Sequence, residues 1–267
     1  MKYFLSIDWD YFINASSLER ENYFPDGREY EEDSICDFIW STKYSFPASV
    51  AQCESDLKMG KYSPLLNIEV DQNKLRGLRS LIDEIISRHP SNSDPEFYVR
   101  ITESHADAFY FVDSLTKPEE TFKVVNIDYH HDLYSYNDTL TCGNWVLKLK
   151  ESRPNMQYEW INKNDSESCV EDIPEGFEYV ETESWNTICS QEFINNCAGI
   201  FICRSSMWSP PHLDPHLVRL VNRIKSKYPS AIVPPAIEKP RPYTVNEGQD
   251  FFAEMQMLSK LSQKFRK

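Results

Sequence analysis

Glycine is scarce in this chain, at seven of 267 residues, and positive charge is outnumbered: 28 Lys and Arg against 42 Asp and Glu leave a formal net charge of −14. Few glycines and sixteen prolines point to a compact body with several stiff loops, and ordinary apolar content argues against global disorder. The shortage of basic residues argues against nucleic acid as a partner, because a phosphate backbone needs a basic face. An acidic chain suits a cationic partner or metal ions instead. No run reaches the roughly 18 apolar residues of a membrane span, and the N-terminus opens on a strand-like segment with no apolar signal core. We therefore expect a cytoplasmic protein without membrane contact. The chain lacks any CxxC pair, and its seven cysteines (Cys36, Cys53, Cys142, Cys169, Cys189, Cys197 and Cys203) are odd in number and irregular in spacing. That argues against a disulfide scaffold or zinc finger and leaves reduced thiols, several of them buried.

What the chain does have is a set of short apolar runs that end in metal-ligand side chains. Residues 2–7 lead into Asp8 and Asp10, residues 97–102 into Glu103 and His105, and residues 124–127 into Asp128, His130 and Asp132. In an extended segment alternate residues point to one side, so each group can converge where its strand runs out. Taken alone, Asp8 and Asp10 read more simply as turn or cap carboxylates. The recurrence of the same design at three strand ends favours a single shared metal centre.

The rest of the pattern gives the setting. Leu75, Leu78, Leu81, Ile82, Ile85 and Ile86 follow helical spacing, with Asp71 or Asn73 as cap and Pro90 beyond the end. A strand over 97–102, a helix over 106–114 and a strand over 123–127 predict a parallel βαβ unit. A helix starts near Trp145. Residues 151–187 are polar and poorly periodic, with Tyr179-Val180 the one strand hint. Residues 198–203 read as a buried strand, followed by a stiff loop over 204–211. Asp214 as cap and Pro215 at the first helical position open a helix to about Tyr228. Residues 229–242 read as an extended crossing segment and 246–265 as a closing helix. Residues 14–66 look like an insertion or lid, with a helix start over 34–40. Together these predict one domain over 1–267, an α/β fold with three α/β/α layers and a mostly parallel sheet. In such sheets ligands bind outside the carboxyl ends of the strands, where all the candidate ligands lie.

Asp8, Asp10, His105, Asp128, His130 and Asp132 form a set of four carboxylates and two imidazoles without a thiolate. Such a set suits Mn²⁺, Mg²⁺ or Fe²⁺. Two divalent ions would neutralise the crowded carboxylates and could activate a water for attack on a trigonal carbon. At this point the chain resembles the arginase and agmatinase metallohydrolases. Asp128-x-His130-x-Asp132 is similar to their DxHxD motif, Asp8-x-Asp10 to their DxD motif, and His105, 23 positions before Asp128, to their isolated histidine. The DxD element comes first here, as in a circularly permuted branch of the fold whose characterised members are peptide arginases. The resemblance implies an arginase-like fold and two Mn²⁺ ions, one held by His105, Asp128, Asp132 and Asp8, the other by Asp128, His130, Asp8 and Asp10. Asp132 would also orient the reactive water. The implied reaction converts arginine side chains of a ribosomally made, Arg-containing precursor peptide to ornithine with release of urea.

For the substrate guanidinium, which a carboxylate can grip in a fork, Glu103 is the first candidate and Glu54 the second. Glu103 reads nearly as well as a partner that orients a ligating histidine. Asn144, after Gly143, can face the same crevice, and Trp208 stands in the stiff loop as a candidate substrate clamp, although packing is its more ordinary use. Nothing near Asn144 matches the residues with which arginases hold a free amino acid, which favours a larger substrate. His131 is read as pointing away from its neighbours, His212 and His216 as part of a helix-cap region, and Cys142 as no nucleophile. The rivals are a mononuclear metal-dependent deacetylase or amidohydrolase on the same fold, and a non-catalytic metal-binding protein. Oligomeric state is left open.

Overall fold

The computed structural model describes residues 1–25, 33–45, 64–89, 96–135, 138–163, 166 and 173–243. Its centre is β1 (Lys2–Asp8), buried along all but its first residue. The other sheet strands are β4 (Tyr98–Thr102), β5 (Phe122–Ile127), β6 (Met156–Ile161), β7 (Val180–Thr182) and β8 (Cys197–Cys203). They form one six-stranded sheet in the order β4-β8-β1-β5-β6-β7, and every pairing in it is parallel. The central strands carry apolar residues on both faces because both faces are covered. Tyr3, Leu5 and Ile7 point into one core, with α3 (Gln72–Arg88), α6 (Gln191–Asn196) and α7 (Asp214–Lys227). Phe4, Val124 and Phe201 point into the other, with α4 (Asp107–Leu115) and α5 (Trp145–Ser152). The fold is three-layered α/β/α. Gly199 on β8 is required by packing: a Cβ there would stand 2.8 Å from the Phe111 ring of α4.

Asp71 caps α3 by accepting from Asn73 N and Lys74 N at 3.0 Å each. Short α1 (Ser17–Tyr23) begins with a capping box between Ser16 and Glu19, and α2 (Asp33–Ser45) falls on the expected helix start. A two-residue β2 (Ile13–Asn14) pairs antiparallel with β3 (Glu69–Val70).

The expected parallel unit of β4, α4 and β5 is present, and several other expectations are corrected or refined. The strands β4 and β5 run parallel but are not neighbours, because β8 and β1 lie between them; sequence order fixes the crossover, not adjacency. Strand β6 lies inside a region read as aperiodic. Its Glu159 is buried yet tolerated, since it pairs with Lys123 of β5. Asp214 does not cap α7. It is the first helical residue, and its carboxylate is taken by Arg241 at 2.7 Å. The crossing segment adds one rung to the free edge of β4: Ile101 N donates to Ile232 O at 2.9 Å and Ile232 N to Val99 O at 3.0 Å. The closing helix expected over 246–265, Glu54, Cys53 and Cys169 lie outside the described residues. The described cysteines Cys36, Cys142, Cys189, Cys197 and Cys203 are free thiols. No helix among the described residues is long and apolar enough to cross a membrane.

Candidate metal centre

Strands β1, β4, β5 and β8 run parallel and bring their carboxyl ends to one edge of the sheet. Asp8 ends β1 and Asp10 follows it; His105 lies beyond β4, Asp128, His130 and Asp132 beyond β5, and Ser205 beyond β8. Two triads each bring one ligand atom per residue within 4.8 Å of the others: Asp8, His105 and Asp128, and Asp10, Asp128 and His130. Asp132 completes the first group. His105 Nδ1 lies 3.2 Å from Asp8 Oδ2 and 3.1 Å from both Asp128 Oδ2 and Asp132 Oδ2. In the second group His130 Nδ1 lies 3.5 Å from Asp10 Oδ2 and 3.8 Å from Asp128 Oδ1. Asp128 therefore turns one oxygen to each group, as a bridging carboxylate does.

Tight turns make this convergence, rather than continued strand. Asp8 Oδ1 accepts from Asp10 N at 3.0 Å and Asp128 Oδ1 from His130 N at 2.8 Å. Each is an Asx turn, in which a side-chain oxygen stands in for a backbone carbonyl. The turn reading and the ligand reading of these carboxylates are compatible: in Asp8, Oδ1 fixes the turn and Oδ2 faces His105, while in Asp128 the turn oxygen Oδ1 also faces the His130 group and Oδ2 faces His105. Two non-glycine residues have positive φ among the described residues, Asp132 at 55° and Ser205 at 54°, and both sit here. Such strain gathers where surrounding structure fixes a functional geometry.

The charge is poorly compensated from within. Asp8, Asp10, Asp128, Asp132 and His105 are all buried. Burial, then the neighbouring Asp8 and Asp128, pushes the Asp10 carboxyl well above its usual range, against the pull of Arg20 and Lys163. Burial, then Asp132 and Asp8, pushes Asp128 up to about 8. Burial would lower His105, but the surrounding carboxylates outweigh it and raise it well above the ordinary imidazole value. Burial would raise Asp8, yet His105, the Asp10 N–H and the Ser205 hydroxyl leave it lowered. Burial lowers His130 and Arg20 adds to this, against Asp128.

The residues fit divalent cations on an observation independent of their types. Among the described residues Asp10 Oδ1 is buried with no hydrogen-bond partner and His105 Nδ1 has none of good geometry, only three crowded carboxylate oxygens, and a buried polar atom left so is costly unless something fills its valence. The other imidazole nitrogen of His105, Nε2, pairs with Ser6 Oγ at 2.7 Å. A proton on Nε2 leaves the Nδ1 lone pair free to ligate. Trp145 donates its indole N–H to Asp132 Oδ2 at 2.6 Å, Ser205 Oγ donates to Asp8 Oδ2 at 2.8 Å, and Asn126 Nδ2 donates to Asp128 Oδ2 at 3.2 Å.

Comparison with family models, with curated proteins and with solved structures finds no match. The functional reading therefore stands on this geometry and on the motifs.

Other candidates fall elsewhere. Glu103 already grips a guanidinium, that of Arg204, through Nε at 2.7 Å and through Nη2, and it accepts from Ser206 Oγ at 2.5 Å. It holds the loop after β8, and Ser6, not Glu103, pairs with His105. Asn144 turns inward: Oδ1 accepts from Thr141 N at 2.7 Å and Nδ2 donates to Thr139 O at 2.8 Å, so the amide shapes its own loop. Trp208 stands edge-on to His130, with ring centroids 6.2 Å apart, at the half-exposed side of the pocket. His131 is buried away from the donors, where its Nδ1 accepts from Leu133 N at 2.9 Å. His212 packs against Tyr44 and donates its Nε2–H to Ile68 O at 2.9 Å.

Sequence reasoning missed Ser6, Asn126, Trp145, Ser205 and Arg20. Ser6 and Asn126 lie two residues before Asp8 and Asp128 on the same strand face, so alternation could have found them. Ser205 follows the carboxyl end of β8, which the strand-end rule could have flagged. Nothing local marks Arg20.

Proposed function

We propose that the protein is a dinuclear metal-dependent hydrolase of the arginase type. It cleaves a guanidinium C–N bond of arginine side chains in a peptide, giving ornithine and urea. The observation that carries the reading is the convergence of the Asp8/Asp10, His105 and Asp128/His130/Asp132 segments into two ligand groups that share Asp128. A pair of divalent ions, for which Mn²⁺ suits this oxygen-rich set, would be held by His105, Asp8, Asp128 and Asp132 on one side and Asp10, Asp128 and His130 on the other. Such ions supply a water acidic enough to act as a nucleophile near neutral pH.

The chain supplies the rest. The Trp145 N–H fixes the Asp132 carboxylate, which is placed to take a proton from the attacking water and deliver it to the leaving nitrogen. Ser6 and Ser205 hold His105 and Asp8 in their ligating orientations. Trp208 offers an aromatic wall beside His130 against which a flat guanidinium can lie. The acidic chain favours approach by a basic peptide.

The test is incubation of Mn²⁺-loaded protein with Arg-containing peptides, followed by mass spectrometry. Loss of about 42 Da per arginine, with urea in the supernatant, is the hydrolytic outcome; unchanged masses across a varied peptide set overturn it. A second reading, a mononuclear deacetylase or amidohydrolase, is favoured by one feature: Arg20 sets a positive charge 3.4 Å from Asp10 Oδ2. Acetylated peptides in the same assay separate the two reactions.

A further inference from the structure

The two ligand groups differ in their nearest fixed charge. Among the described residues no Lys or Arg pairs with Asp8, Asp128 or Asp132, which face His105 Nδ1 at 3.1–3.2 Å. Asp10 has a built-in cation. Arg20 Nη1 lies 3.4 Å from Asp10 Oδ2, and Nη2 donates to Asp10 O at 2.8 Å and to Ile13 O at 3.3 Å. The guanidinium carbon sits 3.9 Å from the Tyr129 ring centroid and 5.4 Å from that of Phe24. Backbone acceptors and flanking rings thus hold the charge in place. On the same side the Lys163 ammonium donates to Ile13 O at 2.7 Å.

We propose that Arg20 makes the position formed by Asp10, Asp128 and His130 the weaker of the two. The protein then keeps one divalent ion at Asp8, His105, Asp128 and Asp132 and gains the second only as metal concentration rises. This inference rests on the two-metal reading above and adds a mode of regulation to it. The first position offers three carboxylates and a neutral imidazole. The second offers two carboxylates, one of them shared, an imidazole and a fixed guanidinium beside the unshared one. Charges in a buried, weakly screened site act strongly on one another, so a divalent ion is repelled more at the second position. Arg20→Lys is not a neutral exchange here either, because the planar guanidinium is what lies over the Tyr129 ring.

The test is calorimetric titration of the metal-stripped full chain with MnCl₂, paired with electron paramagnetic resonance. In the wild type the second step is expected to be roughly 100-fold weaker than the first, and Arg20→Met to tighten that step by about tenfold or more while moving the first by no more than about twofold. Asp10→Asn should delete the second step, and Asp132→Asn should weaken the first, which assigns each step to its ligands. Spectra of the wild type should show isolated Mn²⁺ up to one equivalent and a coupled pair only beyond it. Should Arg20→Met fail to give a cooperative melt, the wild-type spectra and Asp10→Asn decide the question. A coupled-pair signal well below one equivalent, or an Arg20→Met second step equal to the wild type's, overturns the inference and leaves the two-metal reading standing. One ion per chain with and without Arg20 overturns both. The arginine-side-chain chemistry is judged separately, by the peptide masses.

Discussion

Two largely buried clusters of charge interleave at the carboxyl end of the sheet. Glu103 belongs to one and His105 to the other; Arg204 belongs to one and Ser205 to the other. In the first, Glu103 and Asp214 are matched by Arg204 and Arg241, and the network is closed by the Ser206 and Ser209 carbonyls, which accept from Arg241 at 2.6 Å each. In the second, Asp8, Asp10, Asp128 and Asp132 have two imidazoles between them and Arg20 at one edge. The first cluster satisfies its own charges and serves as a brace for the loop carrying Ser205 and Trp208. The second does not, and the surplus appears as raised proton affinity of Asp10, Asp128 and His105. Acidic residues gathered together are ambiguous; their compensation tells a self-satisfied brace from a candidate cation site.

The contrast can be broken most severely at its shared ligand. Asp128→Asn should abolish retention of both ions and lower peptide hydrolysis by roughly 1000-fold or more, read by metal content after gel filtration and by urea release. The brace should respond in stability instead. Arg241→Met leaves the buried Asp214 only the longer contact to Arg204 Nη1 at 3.4 Å and should cost about 3 kcal/mol, seen as a lower melting temperature with or without metal. Asp10→Asn, by contrast, relieves a buried carboxylate crowded by Asp8 and Asp128 and should leave the metal-free melting temperature unchanged or raised. Equal losses from both substitutions would erase the distinction.

Titration sharpens the comparison further. A carboxyl whose folded value is raised binds more protons in the native than in the unfolded state, so its stabilising contribution is complete below the unfolded value and is lost as pH rises through the folded one. For Asp128 that window runs from the ordinary carboxylate range near 3.8 up to about 8. Asp10 and His105 act in the same direction, and the lowered Asp8 opposes them at the acid end. The metal-free protein should therefore melt at a lower temperature at pH 8 than at pH 6, and saturating Mn²⁺ should flatten or reverse that slope. Denaturation scans at both pH values, with and without metal, check the sign. The smallest effect is expected at Trp145→Phe. It keeps the ring but removes the donor to Asp132, and should lower turnover by about tenfold with little change in melting temperature.

Much of this architecture was legible in the residues, for identifiable reasons. Strand β1 and strand β5 are apolar because both faces are covered, and runs of that kind show in any reading. Asp71 announced the start of α3 because capping is a local bond. Strand β6 escaped because Gln157 and Glu159 interrupt it, and only pairing with Lys123 on the neighbouring strand makes a buried glutamate tolerable. Asp214 looked like a cap because local chemistry allows it; the distant Arg241 claimed it instead.

The sequence by itself determined the α/β class and marked the six candidate ligand side chains at strand ends, since both follow from local periodicity and spacing. Only the tertiary structure decided that β8 and β1 lie between β4 and β5, that Glu103 already grips Arg204, and that Arg20 stands beside Asp10. Those are contacts between segments far apart in the chain, and they are set by how the layers pack. No window of neighbouring residues contains them.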